Sequence, residues 1–171
     1  MHGGVHRARG LSGITPGHGP TTGMLFALGA DSQVHVYHAA TLQPLSGTRM
    51  GLAHPGLKGT SFYARTALSP CGRWLATGSA GLGGNAFMFD VGGLGSMLAQ
   101  GQDVRASVCA VHLQGHVGEV GAPDWADGGL ATCADDGTVR MWRPDVETYR
   151  RCQAEPQEAQ WDWSWAKTEE S

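Results

Sequence analysis

The apolar positions of the stretch LATCADDGTVRMWRPD (Leu130–Asp145) fall into two short runs on either side of a polar turn. The first run leads into Ala-Asp-Asp-Gly, a composition typical of tight turns. In the second run, Val139 and Met141 share one face of an extended chain, whereas Arg140 and Trp142 share the other. This pattern predicts a β-hairpin whose second strand ends on an aromatic residue.

The same pattern occurs twice more in the chain. LFALGADSQVHVYH, from Leu25, aligns with it without a gap, and LATGSAGLGGNAFMFD, from Leu75, aligns with two extra residues in the turn. Further strands are predicted in SFYARTALSP (61–70) and ASVCAVHL (106–113), which indicates four short strands per unit. Such units, with an aromatic residue closing the third strand, are typical of the blades of a β-propeller.

We therefore expect an all-β fold: a partial propeller of about three four-stranded antiparallel blades that does not close on its own. The expected blades are residues 8–50, 51–105 and 106–152. Residues 153–171, QAEPQEAQWDWSWAKTEES, are polar and acidic with three alternating tryptophans. The flanking Glu, Gln and Pro favour disorder, and the alternation alone would suit a strand or an extended docking peptide. We expect a disordered tail carrying a candidate aromatic docking motif.

Composition narrows the class of partner. The 171 residues include 27 glycines, only 16% are charged, and the net charge is −3, so no basic surface points to direct nucleic-acid binding. The arginines at 140, 143, 150 and 151 are expected to form a solvated blade edge and tail. No apolar run is long enough to predict a membrane span, and the first ten residues do not resemble a signal peptide. The four cysteines show no metal-ligand spacing and suit a reducing compartment.

No pattern in the sequence supports an enzyme. The glycine-rich stretches GHGPTTG and GLGGNA lack the Lys-Ser/Thr of a phosphate-binding loop and run into predicted strands. The eight histidines are scattered, and no nucleophile motif or catalytic carboxylate pair is present. We expect a non-catalytic interaction module with no cofactor, metal or small-molecule ligand.

The last unit resembles the WD-repeat consensus, through Gly115-His116, Asp136, Thr138 and Trp142. This resemblance implies a structural hydrogen-bond tetrad of His116, Thr132, Asp136 and Trp142. In this context a structural bond between His116 and Asp136 is favoured over a catalytic dyad. The other units are degenerate: the first has Asp31 without a preceding Gly-His, and the second has His54 but glycines at 83 and 84, where the aspartate would stand.

Residues 23–143 also resemble the last blades of the denticleless family of WD-repeat proteins, substrate receptors of cullin-4 RING ubiquitin ligases. The resemblance rests on LFALGADSQVHVYHAATLQPL, GTSFYARTALSPCGRWLATGS and GHVGEVGAPDWADGGLATCADDGTVRMWR. It implies a nuclear protein, with the cytoplasm as a second location. Its expected partners are the adaptor propeller protein of the ligase and substrates, such as the replication licensing factor, held on the chromatin-bound sliding clamp.

On this interpretation Phe62, Tyr63, Arg65 and Arg143 are candidate partner contacts. The alternative for Phe62 and Tyr63 is that they pack a strand between blades, as aromatic side chains often do. The alternative for the whole chain is a generic WD-repeat scaffold for protein–protein interaction, for example in chromatin assembly.

Two departures from the family pattern stand out. Family members dock the adaptor through Trp-Asp-x-Arg at the end of a blade, whereas the blade ends here are FDVG (89–92) and WRPD (142–145). Three blades, moreover, cannot close a ring that in the family has about seven, and an open array leaves unpaired edges. We therefore expect part of a larger propeller or a diverged relative, which on its own is marginally stable or self-associates.

Overall fold

The computed structural model of the protein describes residues 10–45, 51–102, 108, 110–126, 128–145 and 147. Most of its regular structure is β-strand. In chain order the elements are β1 (Leu11–Pro16), a 3-10 turn (Gly19–Thr21), β2 (Met24–Gly29), β3 (Gln33–His38), β4 (Thr66–Leu68), β5 (Trp74–Gly78), β6 (Asn85–Asp90), α1 (Leu94–Ala99), β7 (Ala110–Gln114), β8 (Val120–Ala126), β9 (Gly129–Ala134) and β10 (Val139–Trp142).

The strands form three antiparallel sheets in the orders β1-β2-β3, β4-β5-β6-β7 and β8-β9-β10, which we call blades 1, 2 and 3. Each predicted hairpin is present: Phe26 lies opposite Val36, Leu75 opposite Phe89, and Leu130 opposite Trp142. The prediction of an all-β partial propeller is thus confirmed. In blade 1 the outermost strand is reduced to isolated bridges, from Tyr37 to Pro44 and from Val34 to Leu52.

The fourth strand of blade 2 comes from the next sequence unit. β7 lies within the segment ASVCAVHL, which the repeat pattern assigns to the unit beginning at residue 106, yet it pairs with β6, with Phe87 opposite His112. The sequence repeat and the sheet are therefore offset by one strand. Beyond β10, only residues 143–145 and 147 are described, so the expected tail at 153–171 lies outside the described residues.

The core lies between the blades rather than inside any one of them. Because successive side chains of a strand point to opposite sides, blade 2 turns one face toward blade 1 and the other toward blade 3. Between blades 1 and 2, Phe26 and Val36 pack in one cluster with Leu75, Phe87 and Phe89, all of them fully buried. Each large apolar side chain buried in this way contributes about 2 kcal/mol.

The interface between blades 2 and 3 is built in the same way. Ala76 and Met88 pack against Leu130 and Trp142. A directional contact is added by Trp125 on β8, whose indole N–H donates to the carbonyl oxygen of Ala67 on β4 at 3.1 Å. The two sheets are thereby fixed in register as well as held together.

Pro123 lies within β8, opposite Thr132. Its ring removes a backbone donor, but β8 pairs on only one side in the described sheet, and edge strands tolerate proline. Among the described residues, no helix has the length and apolar character that a membrane crossing requires.

Candidate functional site

The four residues of the expected tetrad come together where the loop before β8 meets the hairpin of blade 3. The indole N–H of Trp142 donates to the Thr132 hydroxyl oxygen at 2.7 Å, and that oxygen lies 2.8 Å from Nε2 of His116. On the other side of the ring, Nδ1 of His116 lies 3.1 Å from the Asp136 carboxylate. Trp142, Thr132 and His116 are all buried, so this series of hydrogen bonds runs from the interior to the surface.

The hydrogen bonds of the tetrad all donate in the same direction, from Trp142 toward Asp136. Because Trp142 can only donate, the Thr132 oxygen accepts from it, and the Thr132 hydroxyl hydrogen donates to Nε2 of His116. Nδ1 of His116 then carries the ring hydrogen and donates to Asp136. Both ring nitrogens are used within the fold, and no ring nitrogen is left for a substrate. The network ties the loop before β8 to strands β9 and β10.

A fifth residue, Thr138, completes the outer end of the network. Its hydroxyl donates to Asp136 at 2.7 Å and its backbone N–H donates at 2.9 Å, while the N–H of Val117 donates at 2.7 Å. These bonds, that of the Thr138 hydroxyl above all, hold the pKa of Asp136 well below its usual range. No role for Thr138 was predicted from the sequence, although an aspartate that bonds the backbone two residues further on is a common turn motif.

Because the pKa of Asp136 is lower in the folded than in the unfolded chain, its carboxylate stabilises the fold above the unfolded pKa of about 3.9, and this contribution is lost as the pH falls further. We expect the melting temperatures of the wild type and Asp136→Asn to approach each other as the pH is lowered from about 6 to about 2.5. Asp124→Asn, at an exposed carboxylate on β8, is the control and should not show this convergence. A constant gap between wild type and Asp136→Asn would contradict the prediction.

The equivalent positions of the other blades do not form this network. In blade 2 the Thr77 hydroxyl donates to the neighbouring Gly78 carbonyl, and the side chain of Phe89 has no hydrogen-bond donor. The ring of His54 instead accepts the N–H of Gly56 and lies 4.7 Å from the ring of Phe87. Of the blades in the described part of the chain, only blade 3 contains the full tetrad.

The glycine at the turn of blade 2 has a packing role that was not predicted from the sequence. Gly84 has φ +58°, in the left-handed region, and a Cβ placed on it would overlap the carbonyl oxygen of His116. Close by, Ser79 and Val120 exchange backbone hydrogen bonds of 3.0 and 3.1 Å. The turn of blade 2 therefore rests on the loop that carries the tetrad histidine.

Phe62 and Tyr63 form an exposed aromatic pair in the loop before β4, with 75% and 79% of their surfaces accessible. They do not pack between blades. Arg65 follows them; its guanidinium donates to the carbonyl oxygen of Ser12 in blade 1, and its backbone N–H donates to that of Gly121 in blade 3 at 2.8 Å. The loop thus spans the innermost strands of all three blades, and we call this end the upper end.

Arg143 does not join that group. It follows β10 and lies against Gly129, at the opposite end of β8 from Gly121. A seven-residue strand spans about 20 Å, so Arg143 belongs to the lower end of the blades.

The lower end of blade 2 carries an arginine–aspartate pair. The Arg73 guanidinium donates to the Asp90 carboxylate at 2.7 and 3.1 Å, and its aliphatic stem lies where a side chain at Gly92 would begin. Arg73 also lies over the ring of Trp74, 5.3 Å from its centroid. These residues line an open pocket of about 740 Å³, together with Met97 of α1.

The chain is similar in sequence to a known repeat family and to known proteins. Residues 107–143 match the family model for the WD domain, G-beta repeat. The chain is 33% identical over 129 residues to Denticleless protein homolog A of Xenopus laevis, an alignment that covers 72% of this chain. It is 31% identical over 125 residues to Cell division cycle protein cdt2 of Schizosaccharomyces pombe, covering 71% of this chain. The matched parts are 15% and 23% of those two proteins.

Two solved structures share the fold. The structure of U3-55K superposes with a TM-score of 0.52 at 15% identity, covering 81% of this chain and 37% of that one. The computationally designed Ika4 protein superposes with a TM-score of 0.50 at 19% identity, covering 78% of this chain and 65% of that one. At these identities the likeness extends to the fold alone.

Proposed function

Because this chain is a WD-repeat protein of the denticleless type, we propose that it is the substrate-recognition subunit, or a segment of it, of a cullin-4 RING ubiquitin ligase. In this role it acts in the nucleus and presents replication-linked proteins, held on the sliding clamp, for ubiquitination. The similarity to Denticleless protein homolog A over 129 residues carries the proposal. The chain supplies rigid binding surfaces, and the chemistry belongs to other subunits.

The upper end is the proposed substrate surface. Large aromatic side chains supply much of the binding energy at protein interfaces, and Phe62 and Tyr63 are exposed beside a cationic side chain, Arg65. Their loop is fixed to blades 1 and 3 by the bonds of Arg65, so little conformational entropy is lost on binding.

The lower end is the proposed adaptor surface. The adaptor-docking motif of the family requires an aspartate and an arginine at a blade end, and FDVG retains only the aspartate. Arg73, from the turn before β5, places a guanidinium on Asp90 and covers Gly92. An aspartate–arginine pair is therefore present at this blade end, with the arginine supplied by the turn before β5. Substrate and adaptor would then bind at opposite ends of blade 2.

We expect the double variant Phe62→Ala/Tyr63→Ala to lose clamp-bound substrate while it keeps the adaptor. Both side chains are exposed, so the fold is unaffected, and removal of two aromatic anchors should weaken substrate capture about tenfold or more. The measurement is a pull-down on clamp-loaded DNA carrying the licensing factor, in parallel with a pull-down on immobilised adaptor. Leu42→Ala, at an exposed apolar residue after β3 at the lower end of blade 1, is the control.

Arg73→Ala provides the reverse arm of this experiment: adaptor capture is lost and substrate capture is kept. If the wild type binds neither partner, the ligase proposal fails. If the aromatic variant binds substrate as well as Leu42→Ala does, the upper surface is not the substrate site.

One observation favours a second candidate function. The family's docking motif is not intact at either blade end, 89–92 or 142–145. A WD-repeat scaffold for other protein partners, as in chromatin assembly, would need no such motif. Wild-type chain that binds neither adaptor nor clamp-bound substrate would favour this second function.

A further inference from the structure

The outer edges of blades 1 and 2 meet through a cluster of three rings. In blade 1 the outermost place is taken by residues 51–59, which we call the strap, and Leu52 in it exchanges two backbone hydrogen bonds of 2.8 Å with β3. Further along the strap, the ring of His54 lies 4.7 Å from that of Phe87 on β6 and 5.4 Å from that of His112 on β7. Phe87 and His112 stack at 4.8 Å, with 9° between their planes. Two histidine rings therefore lie at the outer edge of this interface, and we call the three rings the ring cluster.

The fold uses His54 in its neutral form. Its Nδ1 accepts the backbone N–H of Gly56 at 3.0 Å, so the ring hydrogen is on Nε2. In the same turn the N–H of Leu57 donates to the carbonyl oxygen of His54, and the side chain of Leu57 is fully buried. Protonation would place a hydrogen on Nδ1, which would then face the N–H of Gly56 as a second donor. The charged ring is thus incompatible with the turn that holds Leu57 in the core.

The surroundings of His112 also suit only a neutral ring. Its Nε2 is buried and has no hydrogen-bond partner among the described residues. One face of the ring lies on Phe87, and a second histidine lies beside it. A protonated ring carries two N–H donors, and burying a charged donor without an acceptor is costly. Burial lowers the pKa of His54 and of His112, and the charge of His54 lowers the pKa of His112 further.

Within the described part of the chain, the charged groups on the neighbouring elements do not compensate a charge on these rings. Lys58 on the strap is exposed and has the same sign of charge as a protonated histidine. Asp90 at the lower end of β6 pairs with Arg73. Asp31 pairs with His35, whose side chain points to the face of β3 away from the cluster. Among the described residues, no carboxylate or thiol joins the two rings in a possible metal site.

The strap is fixed to blade 2 by two hydrogen bonds just beyond the ring cluster. The N–H of Lys58 donates to Oγ of Ser79 at 2.9 Å, and its carbonyl oxygen accepts the N–H of Ala80 at 2.7 Å. The strap then continues directly into the loop of the exposed aromatic pair. If the strap moves away at His54, these two bonds are lost and the blades separate at their outer edge.

We propose that the ring cluster is a pH-sensitive latch: protonation of His54 and His112 releases the strap from blade 2 and opens the outer edge of the interface between blades 1 and 2. Because the closed form disfavours both protonated rings, the opened form binds more protons. The latch is closed above the pKa of a free histidine, about 6.5, and opens as the pH falls below it. This inference does not depend on the ligase proposal.

Hydrogen exchange of the 171-residue chain at pH 7.5 and pH 5.5 tests the latch. After correction for intrinsic exchange rates, we expect the amides of Lys58 and Ala80 to exchange about tenfold faster, or more, at pH 5.5. The amide of Val120 is the matched reference, because it donates to the Ser79 carbonyl across the interface between blades 2 and 3, and it should keep its protection. Unchanged exchange at Lys58, or an equal rise at Val120, would overturn the proposal.

Two substitutions remove the titrating groups and keep the local contacts. His54→Asn retains an acceptor for the N–H of Gly56, and His112→Phe retains a ring on Phe87. In the double variant, the corrected exchange rate of the Lys58 amide should be the same at both pH values. A double variant that still responds to pH as the wild type does would show that these rings are not the latch.

His38→Asn is the control for the double variant. His38 is an exposed histidine at the lower end of β3, so its replacement should leave the pH response of the Lys58 amide unchanged. The wild type provides a second test that needs no variant. The ring NMR signals of His54 and His112 should shift over the same pH interval in which Lys58 loses protection, and titration of both rings without that loss would contradict the proposal.

Discussion

Replacing Thr132 with valine is expected to lower the free energy of unfolding by about 3 kcal/mol. Valine has nearly the same shape, so the change removes two hydrogen bonds without leaving a cavity. The indole N–H of Trp142 and Nε2 of His116 lose their shared partner in a buried site, and each unsatisfied group costs about 1–3 kcal/mol. Urea unfolding at a fixed protein concentration measures the loss, since assembly would make the midpoint depend on concentration.

Thr77→Val is the matched control for this change. Thr77 occupies the equivalent position of blade 2 and is equally buried, but its hydroxyl only donates to the adjacent Gly78 carbonyl. We expect a loss below about 1 kcal/mol, because a single bond is removed and no ring is orphaned. Equal losses at the two threonines would mean that the tetrad adds nothing beyond ordinary local bonding.

A second large effect is expected for Gly84→Ala, which should cost at least about 2 kcal/mol. Alanine is strained at φ +58°, and its Cβ would meet the His116 carbonyl oxygen. The loop before β8 must then move, and it carries the histidine on which the tetrad depends. We therefore expect lower stability of blade 3 from a substitution made in blade 2, measured by urea unfolding monitored through tryptophan fluorescence.

The control for the glycine change is Gly137→Ala in the turn of blade 3. Gly137 has φ +78°, and no atom lies within 4 Å of the added Cβ, so only the backbone strain of about 1 kcal/mol applies. If the two alanine variants lose the same stability, the close approach between the turn of blade 2 and the His116 loop has no energetic importance.

The hairpins could be predicted from sequence because their signal is local. Alternating apolar positions around a short polar turn fix both the strands and their register, as the pairing of Leu130 with Trp142 illustrates. The tetrad positions followed from the WD-repeat resemblance. The sheet to which β7 belongs could not be predicted in this way, because a short apolar strand carries no information about its neighbour.

The remaining features depend on contacts between distant segments. The sequence left open whether Phe62 and Tyr63 are buried or exposed, because aromatic residues of a strand-like segment suit either environment. The contact of Arg73 with Asp90 joins residues 17 apart across a hairpin. The docking motif read along the chain shows only that glycine stands at position 92, where the arginine is expected. The need for glycine at 84 comes from the backbone of another blade.

The offset between sequence repeat and sheet has a consequence for how the blades lose their structure. β7 completes the sheet of blade 2, yet the chain passes directly from it through the His116 loop into blade 3. Blade 3 therefore cannot detach without pulling on the outermost strand of its neighbour. In a solenoid built of self-contained repeats, terminal units can fray one at a time. Here the shared strand couples adjacent blades. We expect blades 2 and 3 to unfold together instead of blade 3 unfolding alone.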